Sequence, residues 1–241
     1  MVKRWTDPVT RFDIGAAFDS ADPWVTHTDL QNLQTTGANL SYGIALADLR
    51  LKPSGQTRYV IHYSASGSRT SGVNAPNPLA TWDPGTDNSS YELFTEGYLI
   101  PALAALPKPI ELGGIYITLG GNDAQDEGAS ADYTNALTAV LDGIKTILDV
   151  DKLPVIGDYA PLNADPAVFV YRNTVRNQQT TIATTAQTGS LEHVKFLDSD
   201  LIPTHDGVHW THDGVVTTGI RMAKAMLTDL NPPGTEPLIT E

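Results

Sequence analysis

The sequence predicts an α/β chain, a three-layer α/β/α sandwich on a mostly parallel central sheet. Two observations carry this. Segments rich in β-branched and aromatic residues alternate with segments whose apolar residues recur at helical spacing, the pattern of parallel strands joined by crossover helices. Three strand-like segments also run out into polar, glycine-bearing loops, "SASGSRT", "LGGNDA" and "THDGVHW". In parallel sheets, ligands sit outside the carboxyl ends of the strands, so these loops are expected to converge on one site. The chain has 241 residues, 41% of them hydrophobic. That is enough for one sizeable core, and residues 1–241 are read as a single domain.

Taken in order, "LSYGIALADLRL" places Ile44, Leu46 and Leu49 on a short helical pattern, and "TRYVIHY" from Thr57 has the composition of a strand. Residues 74–90 are dominated by Pro, Gly, Asn and Asp, which predicts a long surface excursion, a lid or a binding loop. "YELFTEGYLIPALAAL" reads as a helix kinked at Pro101, and "GGIYITLGGND" as a strand stopping at a glycine pair. In "YTNALTAVLDGIKTILDV", Leu137, Val140, Leu141, Ile144, Ile147 and Leu148 form one buried helical face. "LPVIGDYAP" is the next strand. Asp165-Pro166 resembles an N-cap with proline at the first helical position, opening "AVFVYRNTVRNQQTTIATTA" as a helix. "HVKFLDSDL" is a further strand, and "GVVTTGIRMAKAML" closes as a helix capped by Thr211 or Asp213.

Charge and composition exclude several classes of partner. The formal net charge is -13, and 15 Lys and Arg residues are scattered along the chain, so no nucleic acid is expected to bind. There is no cysteine, which rules out disulfides, thiolate metal sites and cysteine nucleophiles. "MVKRWTDPVTRF" lacks the apolar core of a signal peptide, and prolines break "YLIPALAALPKPI" short of a membrane span. No membrane partner is expected, while compartment and oligomeric state are not legible.

The polar loops allow several chemistries. His205, His209 and His212 are spaced i, i+4, i+7, which on a helix would align three imidazoles for a metal. Gly207 and Gly214 interrupt the run, and the reading adopted has no metal. Asp206-Gly-Val-His209 can instead pair a carboxylate with its own downstream imidazole, the arrangement of a general base whose tautomer is fixed. The plain alternative is an Asp that closes a turn beside a surface His. In "TLGGNDA", Asn122 offers a neutral amide suited to an oxyanion, or Asn122 or Asp123 simply caps the next segment. Gly67 can offer an open backbone N–H or merely permit a turn.

These blocks resemble one family. Gly120-Gly121-Asn122-Asp123 is similar to the G-x-N-D block of the SGNH (GDSL-like) hydrolases, Asp206-Gly207-Val208-His209 to their D-x-x-H, and Gly67 falls where their block-two glycine is expected. "GANLSYGIALADL", "SASGSRTSG", Trp82, "GGNDA" and "DGVHWTHDGVVTTGIRMA" look most like the sialate O-acetylesterase branch of carbohydrate acetylesterases, over roughly residues 37–227.

The resemblance implies a serine esterase that removes acetyl or other short acyl groups from carbohydrate. His209 would serve as base, Asp206 would orient it, and Gly67 and Asn122 would hold the oxyanion, with no cofactor and no metal. Residues 74–90 would set fine specificity, with Trp82 a candidate for stacking on a sugar face. The family's serine sits in a G-D-S or G-Q-S block ending the first strand. Here Phe18-Asp19-Ser20 is the nearest string, with Phe in place of Gly, and Ser20 is the candidate nucleophile. In the alternative expectation, the first strand and its serine lie upstream of Met1; Ser64 and Ser66 are further candidates. The competing function is a catalytically inactive carbohydrate-binding or structural module on the same scaffold.

Overall fold

The computed structural model describes residues 2–5, 24–27, 58–61, 63, 65, 67–106, 108–162, 164–185, 191–226 and 238–239. Strand β1 (Val2–Trp5) pairs antiparallel with β2 (Trp24–His27) and parallel with β3 (Arg58–Val60). The sequence reading placed a strand at β3 but none at β1 or β2, whose polar and aromatic residues do not alternate. The helical pattern at residues 40–51, together with Ser20, Ser64 and Ser66, lies outside the described residues.

After a 3-10 turn at Pro78–Ala80, a continuous helical stretch runs in three parts. Helix α1 (Ser90–Phe94) runs into a π-helical turn (Thr95–Leu99) and then α2 (Ile100–Ala105). The widened turn comes just before Pro101, which lacks an N–H and crowds the preceding turn, so the expected kink takes the form of a π-bulge. A short strand β4 (Ile110–Glu111) pairs with β8 (Leu238–Ile239) near the end of the chain.

The rest is built on a parallel sheet in which β6 (Val155–Asp158) lies between β5 (Ile115–Ile117) and β7 (Val194–Leu197). All four β6 residues are buried, as a strand covered on both faces requires. Alternation along the strands sorts their side chains into two layers. Ile117, Val155, Val194 and Phe196 pack with Tyr133, Leu137 and Leu141 of α3 (Glu127–Leu148) and with Val175 and Ile182 of α4 (Arg172–Thr184). Tyr116, Ile156 and Leu197 face the other way, against Met222, Ala225 and Met226 at the end of α5 (His212–Ala225). The chain is therefore α/β, with helices on both faces of a parallel sheet as expected.

Helices α3 and α5 begin with a side-chain cap. The Asp126 carboxylate accepts from the Ala129 N–H at the start of α3, and the Thr211 hydroxyl accepts from the Gly214 N–H at the start of α5. Each cap satisfies an otherwise orphaned donor and contributes about 1 kcal/mol.

Gln179 of α4 is fully buried and ties the strand ends to the helices. Its amide donates to the Tyr133 hydroxyl (3.2 Å) and the Asp158 carbonyl (3.1 Å), and its oxygen accepts from the Ala160 N–H (2.8 Å). Beside it, the Asp158 carboxyl has an oxygen, Oδ1, without a hydrogen-bond partner. Burial pushes this carboxyl up to about 8. The sign of the consequence is fixed by linkage: between the ordinary carboxylate range and about 8, the unfolded chain has released this proton and the folded chain keeps it. Stability from this group is therefore fully present at low pH and declines by about 1.4 kcal/mol per pH unit as pH rises through that window. The isosteric Asp158→Asn variant should accordingly gain on the wild type in urea midpoint from pH 5 to pH 7.5; a constant difference across that range would refute the assignment.

Candidate active site

The loop after β7 doubles back on itself before α5 begins. Thr204 and Trp210 form an antiparallel bridge, and the His205 N–H donates to the His209 carbonyl at 3.0 Å. At the tip, Gly207 has φ +80°, a backbone conformation open to glycine but strained for most side chains. This turn brings Asp206 onto the residues that follow it. Its Oδ1 accepts from the N–H groups of Val208 (2.9 Å) and His209 (2.6 Å), and its Oδ2 lies 2.6 Å from His209 Nδ1.

The His209 ring, followed by the two backbone N–H groups, holds the Asp206 carboxyl well below the usual carboxylate range. A carboxylate can only accept, so neutral His209 carries its proton on Nδ1 and leaves the Nε2 lone pair outward. Both side chains are solvent-accessible, His209 at 70%. The arrangement can take a proton from a hydroxyl and stabilise the resulting imidazolium.

The other two loops are joined by a buried carboxylate. Asp123, in the 3-10 turn Asp123–Gln125 after β5, is fully buried. It accepts from the Thr70 N–H (2.9 and 3.0 Å), the Thr70 hydroxyl (3.0 Å) and the Ser71 N–H (3.0 Å). Burial raises its carboxyl above the ordinary carboxylate range, and the bonds from Thr70 and Ser71 only partly offset this. Next to it, Asn122 Nδ2 donates to the Ser68 carbonyl at 3.1 Å while its Oδ1 accepts from Gln125 at 3.0 Å. An amide has two N–H donors, so one remains available. Gly67 is exposed one residue before Ser68. The Asn122 amide is therefore bonded to the residue that follows Gly67. Gly120, just before this turn, has φ +114°, a conformation that strains other residues, and a Cβ there would press on Val175 at 3.0 Å and Tyr133 at 3.1 Å.

Main-chain bonds carry this assembly across to the His209 loop. The Tyr171 N–H donates to the Ala124 carbonyl (2.8 Å), and the Asp165 N–H donates to the Gly207 carbonyl (2.8 Å). Residues 165–171 therefore bridge the two loops, and here a sequence expectation is corrected. Asp165 caps a turn, its carboxylate accepting from the Ala167 N–H (2.8 Å), but α4 begins only at Arg172. The intervening residues make one turn, with the Val168 and Phe169 N–H groups donating to the Asp165 carbonyl (3.1 and 3.0 Å), and the turn stops where the Tyr171 N–H bonds to Ala124 instead of continuing the helix.

Residues 74–90 are tied down on the same side. The Trp82 N–H donates to the Arg69 carbonyl, and the Trp82 indole N–H donates to Ser68 Oγ at 3.0 Å. The half-buried Trp82 ring packs against Tyr63 and Phe94, with centroids 5.6 and 5.7 Å away. Thr211 caps α5, while the side chain of His212 lies outside the described residues. His205 sits beside His209, ring centroids 5.8 Å apart, and one donor atom from each of His205, Asp206 and His209 lies within 4.8 Å of the others. Among the described residues, no helix is long and apolar enough to cross a membrane.

An α/β/α chain with a carboxylate–imidazole pair beyond the carboxyl ends of its parallel strands has the layout of a hydrolase. The family of carbohydrate esterases described as sialic acid-specific acetylesterases matches residues 4–228, and the chain belongs to that family. This bears out the resemblance read from the sequence blocks. A crystal structure of a protein from Arabidopsis thaliana is similar in fold, with a TM-score of 0.64 at 16% identity over 95% of this chain and 81% of that one. A search of curated proteins returns no match.

Asp123 is the residue whose importance sequence reasoning missed. In Asp123→Asn, the amide keeps one acceptor oxygen but turns N–H groups toward the donors on the other side, either Ser71 or Thr70, at a cost of about 1–3 kcal/mol for each donor left unpaired. Native-state hydrogen exchange should show at least one of the Thr70 and Ser71 amides exchanging faster than in wild type, and unchanged protection of both would contradict the anchoring role.

Proposed function

We propose that the chain is a serine esterase hydrolysing acetyl or other short acyl esters on carbohydrate. The Asp206–His209 pair carries this reading: an ionised carboxylate at 2.6 Å from Nδ1 leaves Nε2 as a proton acceptor facing outward. A serine hydroxyl attacks the ester carbonyl as Nε2 removes its proton. The imidazolium, stabilised by Asp206, then gives the proton to the sugar oxygen as its bond to the acyl carbon breaks, releasing the sugar hydroxyl and leaving an acyl-enzyme. Water repeats the sequence on the acyl-enzyme and releases the acid.

The negative charge on the carbonyl oxygen is met by the free N–H of Asn122 and the backbone N–H of Gly67. Asn122 is pre-oriented for this by its bond to the Ser68 carbonyl, so little reorganisation is needed when charge develops. Ser20 is the candidate nucleophile within the chain. The accessible part of the Trp82 ring is the candidate face for a sugar, and its bond to Ser68 couples that face to the oxyanion loop. No step calls for a metal or a cofactor.

Hydrolysis of an aryl acetate tests the assignment. His209→Ala should lose about 10²–10⁴-fold in kcat. Asn122→Ala should lose about 10²–10³-fold in kcat with KM little changed. Wild-type kcat in the His209 variant would sink the proposal. Ser20→Ala should abolish turnover if Ser20 is the nucleophile, and full activity in that variant would move the nucleophile elsewhere.

A further inference from the structure

We infer that His205, Asp206 and His209 form a binding site for a divalent transition-metal ion of the zinc class, and that its occupancy switches the base off. The binding half stands on the geometry of the loop alone. The inhibitory half rests on the proposed role of His209.

His205 Nδ1 lies 3.0 Å from the His209 carbonyl oxygen, which can only accept. The His205 ring therefore carries its proton on Nδ1, and Nε2 presents a lone pair. That Nε2 is 3.7 Å from Asp206 Oδ2. A ring nitrogen held by a backbone carbonyl while its partner faces a carboxylate is the orientation in which metal-ligating histidines are fixed.

Two imidazoles and a carboxylate suit zinc, whose ligands lie about 2.0–2.2 Å from the ion and hence roughly 3.3–3.6 Å from one another in a tetrahedron. The His205–Asp206 separation already approaches that spacing. The contact between Asp206 and His209 has to open by less than about 1 Å, and all three residues are exposed. The Thr204–Trp210 bridge and the His205–His209 backbone bond fix the separation of the ligands along the chain. A net charge of -13 favours cation approach.

Binding would change the tautomer of His209. An ion on Nδ1 displaces the proton there to solvent, and Nε2 takes one up from solvent, so the ring stays neutral with its proton on the other nitrogen. No atom is lost, but Nε2 becomes a donor and cannot accept the proton of a serine. The ion acts on the base and leaves the ester-binding loops alone, so kcat falls while KM holds.

The chelator-treated protein titrated with zinc chloride in a calorimeter, with aryl acetate hydrolysis followed in parallel, tests both halves. The expected result is one ion bound at this site, inhibition that follows occupancy, and recovery of the rate on adding chelator. His205→Ala should weaken zinc binding at least about tenfold and move the inhibition curve by the same factor. His193→Ala, which removes the imidazole next to Glu192 (3.3 Å), should move neither. Absence of binding up to millimolar zinc, or wild-type affinity in His205→Ala, would overturn the site. Binding without inhibition of an active esterase would overturn the switch. A chain that hydrolyses no ester with or without chelator would count against the esterase reading and against the switch, while the calorimetric comparison would still decide the site.

Discussion

The carboxylate of Asp123 accepts from two backbone N–H groups and a hydroxyl supplied by residues 53 and 52 positions earlier in the chain, and the position of both candidate oxyanion donors follows from it. A carboxylate out of water is costly unless its lone pairs are filled, so the loop at residues 67–71 has one arrangement in which this charge is tolerated. That arrangement sets the Ser68 carbonyl against Asn122 and leaves Gly67 at the surface. Trp82 closes the same loop from its other side. What holds the edge of the sheet together is polar, and the apolar core beneath it supplies the platform.

Three aspartates at this edge show how environment divides one chemistry into three. Asp123 is buried and its acceptors are filled by donors from a distant loop. Asp158 is buried with an oxygen unpartnered, so its neutral form is favoured. Asp206 is exposed and surrounded by donors on its own turn, so it stays ionised and can orient an imidazole. Burial and hydrogen-bond supply decide which carboxyl is a strut, which stays protonated and which holds an imidazole.

Much of this was legible in the sequence because the signals were local. Periodicity located α3 and the strands β5, β6 and β7, and the short spacing from Asp206 to His209 closes across a single turn. What was not legible depended on partners far along the chain. Asp123 read equally well as a cap, whereas the helix it precedes is capped by Asp126. Asp165-Pro166 carried the chemistry of a helix start and does open one turn, but the Tyr171 N–H bonds to the Ala124 carbonyl of another loop, and α4 begins only at Arg172. Strands β1 and β2 are four residues each and show no alternation, so only pairing defines them. Ser20 lies outside the described residues, and the nucleophile rests on sequence likeness.

The central claim, that His209 activates a serine in this chain, is tested most directly by covalent trapping. The protein is treated with a fluorophosphonate reagent and the modified peptide mapped by mass spectrometry, for the wild type and for His209→Ala. The account predicts stoichiometric labelling of one serine in the wild type and near-complete loss of labelling in the variant. A wild type that takes up no label, or a His209→Ala protein labelled as fast as the wild type, would contradict it.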